Sequence, residues 1–450
     1  MIHKYTLFST NIVVDVNSGA VHVFDKVSFD ILDYYKTYDF EEIVDKLSPE
    51  YGKQAVTEAY GEIQELEKQG LIFSNDIYEE EIRKWNKKSV VKAMCLHVAH
   101  DCNMRCKYCF ASTGHFGVER KLMPEDTAKK AIDFVIQASE GRKNIEIDFF
   151  GGEPLLNFDV VKKTVEYARE QGKKHGKNFR FTITTNALDL TDDHISYFNE
   201  NMSNVVLSID GRPEINDNMR MTIEGSGTYS HILPNIKNFV QSRGDKDYYV
   251  RGTFTRENLD FSKDVIHLAD CGFGNISVEP VVAAKSSGLD IREQDIEQLF
   301  KEYEKLAMEY ILRKQNGEGF NFFHFMIDLS QGPCAAKRLA GCGAGDEYVA
   351  VTPEGDIYPC HQFVGISEFK LGNVYTGVVN HDIRNKFKTS NVYTKPKCNE
   401  CWAKFYCSGG CFANAFAFNN DISIPYEIGC ELEKKRVECA LWIQAKMAMK

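Results

Sequence analysis

The cysteines constrain this chain more than any other feature, because they are clumped. Of fourteen in 450 residues none precedes Cys95, four lie between Cys95 and Cys109, one is Cys271, and nine crowd between Cys334 and Cys439. A disulfide scaffold is normally short and exported. The opening MIHKYTLFSTNIVVDV lacks the apolar block of an export signal, and no stretch approaches eighteen uncharged apolar residues, so a cytoplasmic location is expected. In a reducing compartment close-spaced thiols read as ligands of a metal or a cluster.

A chain of 450 residues is long enough for two or three domains, and 43% apolar with 26% charged residues is an ordinary globular composition. Net charge is −11, from 54 basic and 65 acidic residues. That balance gives no electrostatic footprint for nucleic acid or an anionic membrane, and neither is expected as a partner.

Residues 1–85 read as one unit. Tyr5 to Val16 and Ala20 to Phe24 are β-prone runs joined across Asn17-Ser18-Gly19. Three helix patterns follow: Ser28 is placed to cap the first, Asp39 with Glu42 starts the second, and Val56, Tyr60, Ile63 and Leu66 give the third an apolar face. Gly70 ends it and Leu71-Ile72-Phe73 reads as a returning strand. The expected shape is winged-helix-like. Residues 1–78 hold six Lys or Arg against fourteen Asp or Glu, which repels phosphates. Two readings stay open: a sheet edge that accepts an extended peptide, and a cap on the next domain. Residues 76–90 read as a charged helical linker.

From residue 86 to 330 the pattern alternates. Strands are expected near 94–100, 145–150, 179–185, 204–209, 248–255 and 275–281, with helix patterns such as 124–138, 158–171, 229–241 and 261–269 between them. Six β-then-α units imply an α/β fold, a parallel sheet closed or partly closed into a TIM-like (β/α)6 barrel with its site at the carboxyl ends of the strands. Residues 331–450 break into short strands, turns and cysteines, where ligation is expected to contribute much of the folding free energy.

Cys102-Asn-Met-Arg-Cys106-Lys-Tyr-Cys109 follows the first of these strands. Structural zinc wants four ligands, and this loop offers three thiols. Three thiolates suit a 4Fe–4S cluster with one iron left open. Here the chain resembles the radical S-adenosylmethionine (SAM) enzymes, with Tyr108 as the aromatic residue before the last cysteine. The resemblance implies that SAM chelates the open iron and is cleaved by one electron to methionine and a 5′-deoxyadenosyl radical. Gly151-Gly152-Glu153-Pro154 follows the second strand, Thr184-Thr185-Asn186 the third, and Ser208-Ile209-Asp210-Gly211 the fourth, with Arg220 beyond. Two glycines let backbone carbonyls approach a ligand and Glu153 can accept from an ammonium. By resemblance, Tyr108, Gly151, Gly152, Glu153, Asn186, Ser208, Asp210 and Arg220 contact SAM.

The later cysteines run Cys342, Cys360, Cys398, Cys401, Cys407, Cys411 and Cys430. The series resembles the SPASM extension of radical SAM peptide-modifying enzymes. That implies two auxiliary 4Fe–4S clusters, three clusters in all: an outer one on Cys398, Cys401, Cys407 and Cys430, and an inner one on Cys342, Cys360 and Cys411 with one iron open. Relatives that close the inner cluster carry a further cysteine soon after the first, where this chain reads Gly343 to Val349 without one; Cys334 is the candidate substitute. An open iron would bind a substrate thiol as thiolate. Over nearly its whole length the chain resembles the sactipeptide-type maturases, and most of all those of the six-cysteine (SCIFF) peptides.

The implied activity is a thioether-forming oxidoreductase. The radical removes a hydrogen from a carbon of the peptide, a peptide thiolate attacks that carbon, and the inner cluster takes up the surplus electron. The implied partners are a Cys-containing precursor peptide, docked through its leader segment, and a low-potential electron donor such as ferredoxin or flavodoxin. Other SAM-dependent outcomes stay open: Cys or Ser oxidation, carbon–carbon crosslinking or epimerisation. A zinc-stabilised peptide-binding protein without catalysis is the reading from another class. Cys95, Cys271 and Cys439 are expected as structural thiols. His97, His100 and His361 are expected to pack or hydrogen-bond near the ligands.

Overall fold

The computed structural model describes residues 1–84, 88–327, 329 and 335–449, with the side chains of 335–337 set aside. Cys334 lies outside the described residues. Among them no helix is long and apolar enough to cross a membrane.

The N-terminal unit is an antiparallel sheet in the order β1 (Ile2–Leu7), β2 (Thr10–Asp15), β3 (Val21–Phe24), followed by α1 (Lys26–Ile31), α2 (Phe40–Tyr51) and α3 (Lys53–Lys68). Three expectations change. The run Tyr5 to Val16 breaks at Phe8 and Ser9, which both take positive φ (47° and 59°) and turn β1 back onto β2. That turn usually asks for Asn-Gly; here Phe8 lies 4.8 Å from Trp442 of the C-terminal helix Glu427–Ala448, so tertiary packing holds a conformation the local sequence does not announce. Ser28 lies inside α1, and Asp25 is the cap, accepting the Ser28 amide at 2.8 Å. Leu71 to Phe73 is not a strand: Phe73 turns the chain at φ 52° and stacks on Tyr35. The segment is held by side chains instead, Asn17 Nδ2 donating to Ser74 O at 2.8 Å and the Ser74 amide to Asp15 Oδ2 at 3.1 Å. The Asp39–Glu42 capping box on α2 forms as expected.

The central sheet takes up the alternating pattern. β4 (Ala93–His100) carries a short antiparallel partner β5 (Lys121–Leu122) and pairs in parallel with β6 (Asn144–Gly151). Then come β7 (Asn178–Thr185), β8 (Asn204–Ser208), β9 (Tyr248–Phe254), β10 (Asn275–Pro280) and β11 (Asn321–Phe322), each parallel to the last. Alternate residues such as Leu96, Ile147, Phe181, Leu207, Val250 and Val278 are buried in the main apolar core. Their neighbours Cys95, His97, Asp148, Phe150, Thr184, Ser208, Arg251 and Glu279 fall on the opposite, concave face.

The barrel is partial, and its open side is extended rather than closed. β12 (Tyr348–Val351) adds in parallel to β4, and β13 (Asp356–Tyr358), β14 (Gly372–Asn373) and β15 (Gly377–Val378) follow antiparallel. The sheet therefore runs across the boundary drawn at residue 331. The helix Glu427–Ala448 returns to pack on the barrel helix Ile296–Gln315. It also takes Tyr5 Oη on Glu438 O at 2.8 Å, fastening the N-terminal unit.

Candidate functional site

The first cysteine loop leaves β4 at the carboxyl end of the sheet. Arg105 Nη1 donates to Cys102 O at 2.6 Å and the Met104 amide points at Cys102 Sγ at 3.4 Å. Burial, then the charge of Glu153, push the Cys102 thiol up to about 12, and burial pushes Cys106 up to about 11 against the pull of Arg220. Thiols so disposed stay protonated until a metal centre displaces the proton. Glycines make the loop fit. A Cβ on Gly151 would lie 2.1 Å from Ala99 O, and one on Gly152 2.0 Å from Asp101 O. The glycines thus let two strand ends touch, the Gly152 amide donating to Ala99 O and the Glu153 amide to Asp101 O at 2.7 and 2.8 Å. This close contact is a further reason for the glycines, beside the expected approach of carbonyls to a ligand.

Beside the loop, the residues expected at SAM fall into two braces. Tyr108 Oη lies 2.8 Å from both Asp210 carboxylate oxygens, and Arg220 Nη1 donates to it at 3.0 Å. Burial raises both Tyr108 and Asp210. Glu153 is buried and accepts from the Asn186 amide (2.8 Å), the Thr185 hydroxyl (2.8 Å) and the Leu155 amide (3.0 Å); burial outweighs these bonds and pushes it up to about 7. Asn186 Nδ2 reaches Asn103 Oδ1 at 2.7 Å and Cys102 Sγ at 3.6 Å. Ser208 ends β8 opposite Arg251. Arg220 Nε is buried without a hydrogen-bond partner among the described residues. An orphaned guanidinium donor beside a ligand loop fits a carboxylate, which SAM carries.

The seven later cysteines assemble in two groups. Cys360 feels the charges of Cys411 and Cys342, and its burial pushes it up to about 12. Cys430 feels Cys398 and Cys401, and Cys407 feels Cys430, Cys398 and Cys401, burial raising both to about 11. All the described cysteines are free thiols. Among the described residues no three His, Cys, Asp or Glu side chains converge on a single-ion site. The chain from Gly343 enters β12 at Tyr348 without a fourth thiol for the inner group.

His97 and His100 pair at 3.1 Å and pack on Phe116. His361, next to Cys360, sits between Phe110 and Phe150, and burial lowers it to about 4. These histidines pack as expected. Cys95 and Cys439 are buried, whereas Cys271 is half-buried, 3.7 Å from His267 Nε2.

The concave face holds groups that sequence reasoning missed. Arg251 on β9 and Glu279 on β10 form a two-pronged ion pair (3.0 and 3.3 Å) with side chains 45% and 36% exposed. The pair lies within electrostatic reach of Tyr108 and Asp210 on one side and of His361, His324 and Arg436 on the other. Against the pull of burial, Arg251 and then His324 hold Glu279 down to about 2. Asp148 behaves oppositely: burial, then the charge of Glu146, push it up to about 7. No local motif marks these residues; only their placement at inward positions of successive strands does.

Residues 96–259 match the radical SAM superfamily, and residues 342–402 match SPASM, an iron–sulfur cluster-binding domain. The chain carries a radical SAM domain followed by a SPASM domain. The two matches support SAM and 4Fe–4S clusters as cofactors. It is 24% identical over 339 residues to the cysteine-type anaerobic sulfatase-maturating enzyme of Clostridium novyi (strain NT), covering 70% of this chain and 86% of that one. Its fold is similar to anSMEcpe with bound AdoMet and Cp18Cys peptide (TM-score 0.65, 19% identity, 80% of this chain and 99% of that one). It is also similar to Streptococcus suis SuiB bound to precursor peptide SuiA (TM-score 0.53, 17% identity, 94% and 97%).

Proposed function

We propose that this radical SAM–SPASM enzyme forms intramolecular thioethers in a ribosomally made precursor peptide, joining cysteine sulfur to carbon. The observation that carries this reading is the inner cysteine group: Cys342, Cys360 and Cys411 lie together with no fourth thiol among the described residues. Cys102, Cys106 and Cys109 would hold a cluster that with SAM would supply radical chemistry, and Cys342, Cys360 and Cys411 would hold one that would supply an iron for a substrate thiol.

The chain's own residues do the rest. Tyr108, Asp210 and Arg220 orient the SAM carboxylate and adenosyl group. Arg251 and Glu279, on the concave face, hold a peptide amide by its carbonyl and N–H; Glu279, held ionised, is an acceptor rather than a base. Phe110, Phe150 and His361 exclude water from the reacting atoms.

The leader segment docks on the N-terminal unit. A groove of about 460 Å³ runs between the outer strand β3 and α3, lined by Val21, Val23, Phe24, Glu62, Ile63 and Leu66. Val23 is 41% exposed there, an apolar side chain on an edge strand suited to strand addition. The structure of a relative bound to its precursor peptide supports this reading by analogy.

The test is anaerobic incubation of the reconstituted enzyme with SAM, a reductant and the precursor peptide encoded beside it, followed by alkylation and tandem mass spectrometry. A thioether consumes one thiol and leaves the peptide two hydrogens lighter. A product equally light whose cysteines all still alkylate is a carbon–carbon crosslink or an oxidised Ser, and contradicts the proposal.

A further inference from the structure

Lys395 is a buried cation without a carboxylate. The residue is 1% exposed. Its Nζ donates to Gly409 O at 2.7 Å and lies 4.2 Å from the centre of the Phe412 ring. Lys404, also buried at 4% exposure, shows the usual solution, an ion pair with Asp76 at 2.9 Å. Lys395 forms no such pair among the described residues. An ammonium taken out of water with only a carbonyl and a ring for company is strongly disfavoured.

The thiols around it supply what is missing. The Cys398 amide donates to Lys395 O at 2.9 Å, and Gly409 and Phe412, which meet the Lys395 ammonium, flank Cys411. Cys398 and Cys407 belong to the outer group; Cys342 and Cys411 belong to the inner one. Lys395 thus stands between the two groups, three residues ahead of the first outer thiol and anchored to the loop that carries Cys407 into Cys411.

We propose that Lys395 is the shared counter-ion of the two auxiliary iron–sulfur clusters and raises the reduction potential of both. The inference rests on reading the seven later cysteines as two cluster sites. Thiolate-ligated 4Fe–4S clusters are anionic and gain one further negative charge when they accept an electron. A fixed positive charge in a low-dielectric wall favours the more negative state. Removing it must shift both clusters toward the oxidised form.

The experiment compares Lys395→Met and Lys395→Arg with their parent in a Cys102→Ala, Cys106→Ala, Cys109→Ala background, so that only auxiliary clusters contribute. Iron and sulfide are quantified after anaerobic reconstitution, and each cluster is titrated by EPR-monitored redox potentiometry. In a loaded Lys395→Met protein both reduction equilibria should move about tenfold toward the oxidised form, ~59 mV lower for one electron, while Lys395→Arg stays at the parent values. If Lys395→Met fails to hold iron and Lys395→Arg holds it, the charge itself is required and the proposal stands. Unchanged potentials in a loaded Lys395→Met protein, a shift confined to one cluster, or equal iron loss in both variants would overturn it and leave the side chain a packing role. A parent without auxiliary iron would instead overturn the cluster reading on which the proposal rests.

Discussion

Tyr108 Oη lies 2.8 Å from both carboxylate oxygens of Asp210, and the same hydroxyl accepts from Arg220 at 3.0 Å. One phenol thus fixes the guanidinium whose free Nε is left for a ligand carboxylate. Tyr108→Phe keeps the ring and removes the bridge. A lost hydrogen bond to a charged group is worth about 1.5–3 kcal/mol, so KM for SAM should rise about tenfold or more. The iron content should stay unchanged, which separates this effect from damage to the cluster loop.

Gly152→Ala should act on the cluster loop itself. Its Cβ would stand 2.0 Å from Asp101 O, a backbone atom that cannot move without pulling on Cys102. The expected result is loss of about four irons and of SAM cleavage, with the auxiliary iron retained. Full iron content in this variant would show that the two strand ends can separate without releasing the loop.

Asp148 gives the fold a pH signature. Its carboxyl is held up at about 7 in the folded protein by burial and by Glu146, against about 3.9 unfolded. Between those values the unfolded chain has lost the proton and the folded one has kept it. Stability therefore falls as pH rises from about 4 to about 7, with a slope approaching 1.4 kcal/mol per pH unit for this one group. Above about 7 the contribution levels off. Asp148→Asn should flatten that slope in denaturant titrations at a series of pH values, and an unchanged slope would assign it to other groups.

The β3–α3 groove should be separable from the chemistry. Val23→Asp and Glu62→Lys alter one apolar and one acidic wall residue, and the pair should weaken precursor binding at least tenfold, read by fluorescence polarisation of a labelled leader segment. Deoxyadenosine formation without peptide should be unaffected. Equal leader affinity in the variants would remove the docking role from this groove.

How much of this was legible depends on which contacts are local. The central strands and the helices at 125–138, 158–175, 229–243 and 261–270 follow from apolar periodicity, because each buries one face against one sheet. The ligand loops follow from spacing along a single segment. Phe8 and Ser9 could not be read as a turn, since Trp442 more than four hundred residues away supports them. Leu71 to Phe73 has strand composition, yet Asp15, Asn17 and Tyr35 fix it in another path. Arg251 and Glu279 meet only because β9 and β10 are neighbours in register. Nothing in the local sequence marks Lys395, which is buried against the loop around Gly409. The last strand expected from the pattern is 275–281 in a barrel ending at residue 330, whereas β12 continues the sheet because its backbone pairs with β4, a long-range match that local pattern does not encode.

The account depends most on the trio Cys102, Cys106 and Cys109. The direct measurement is deoxyadenosine formed from SAM under anaerobic reduction, with iron counted in the same samples, for the parent and for the variant with all three cysteines changed to Ala. The account predicts about twelve irons and deoxyadenosine in the parent, and about eight irons and none of the nucleoside in the variant. Deoxyadenosine still formed by the variant would contradict it.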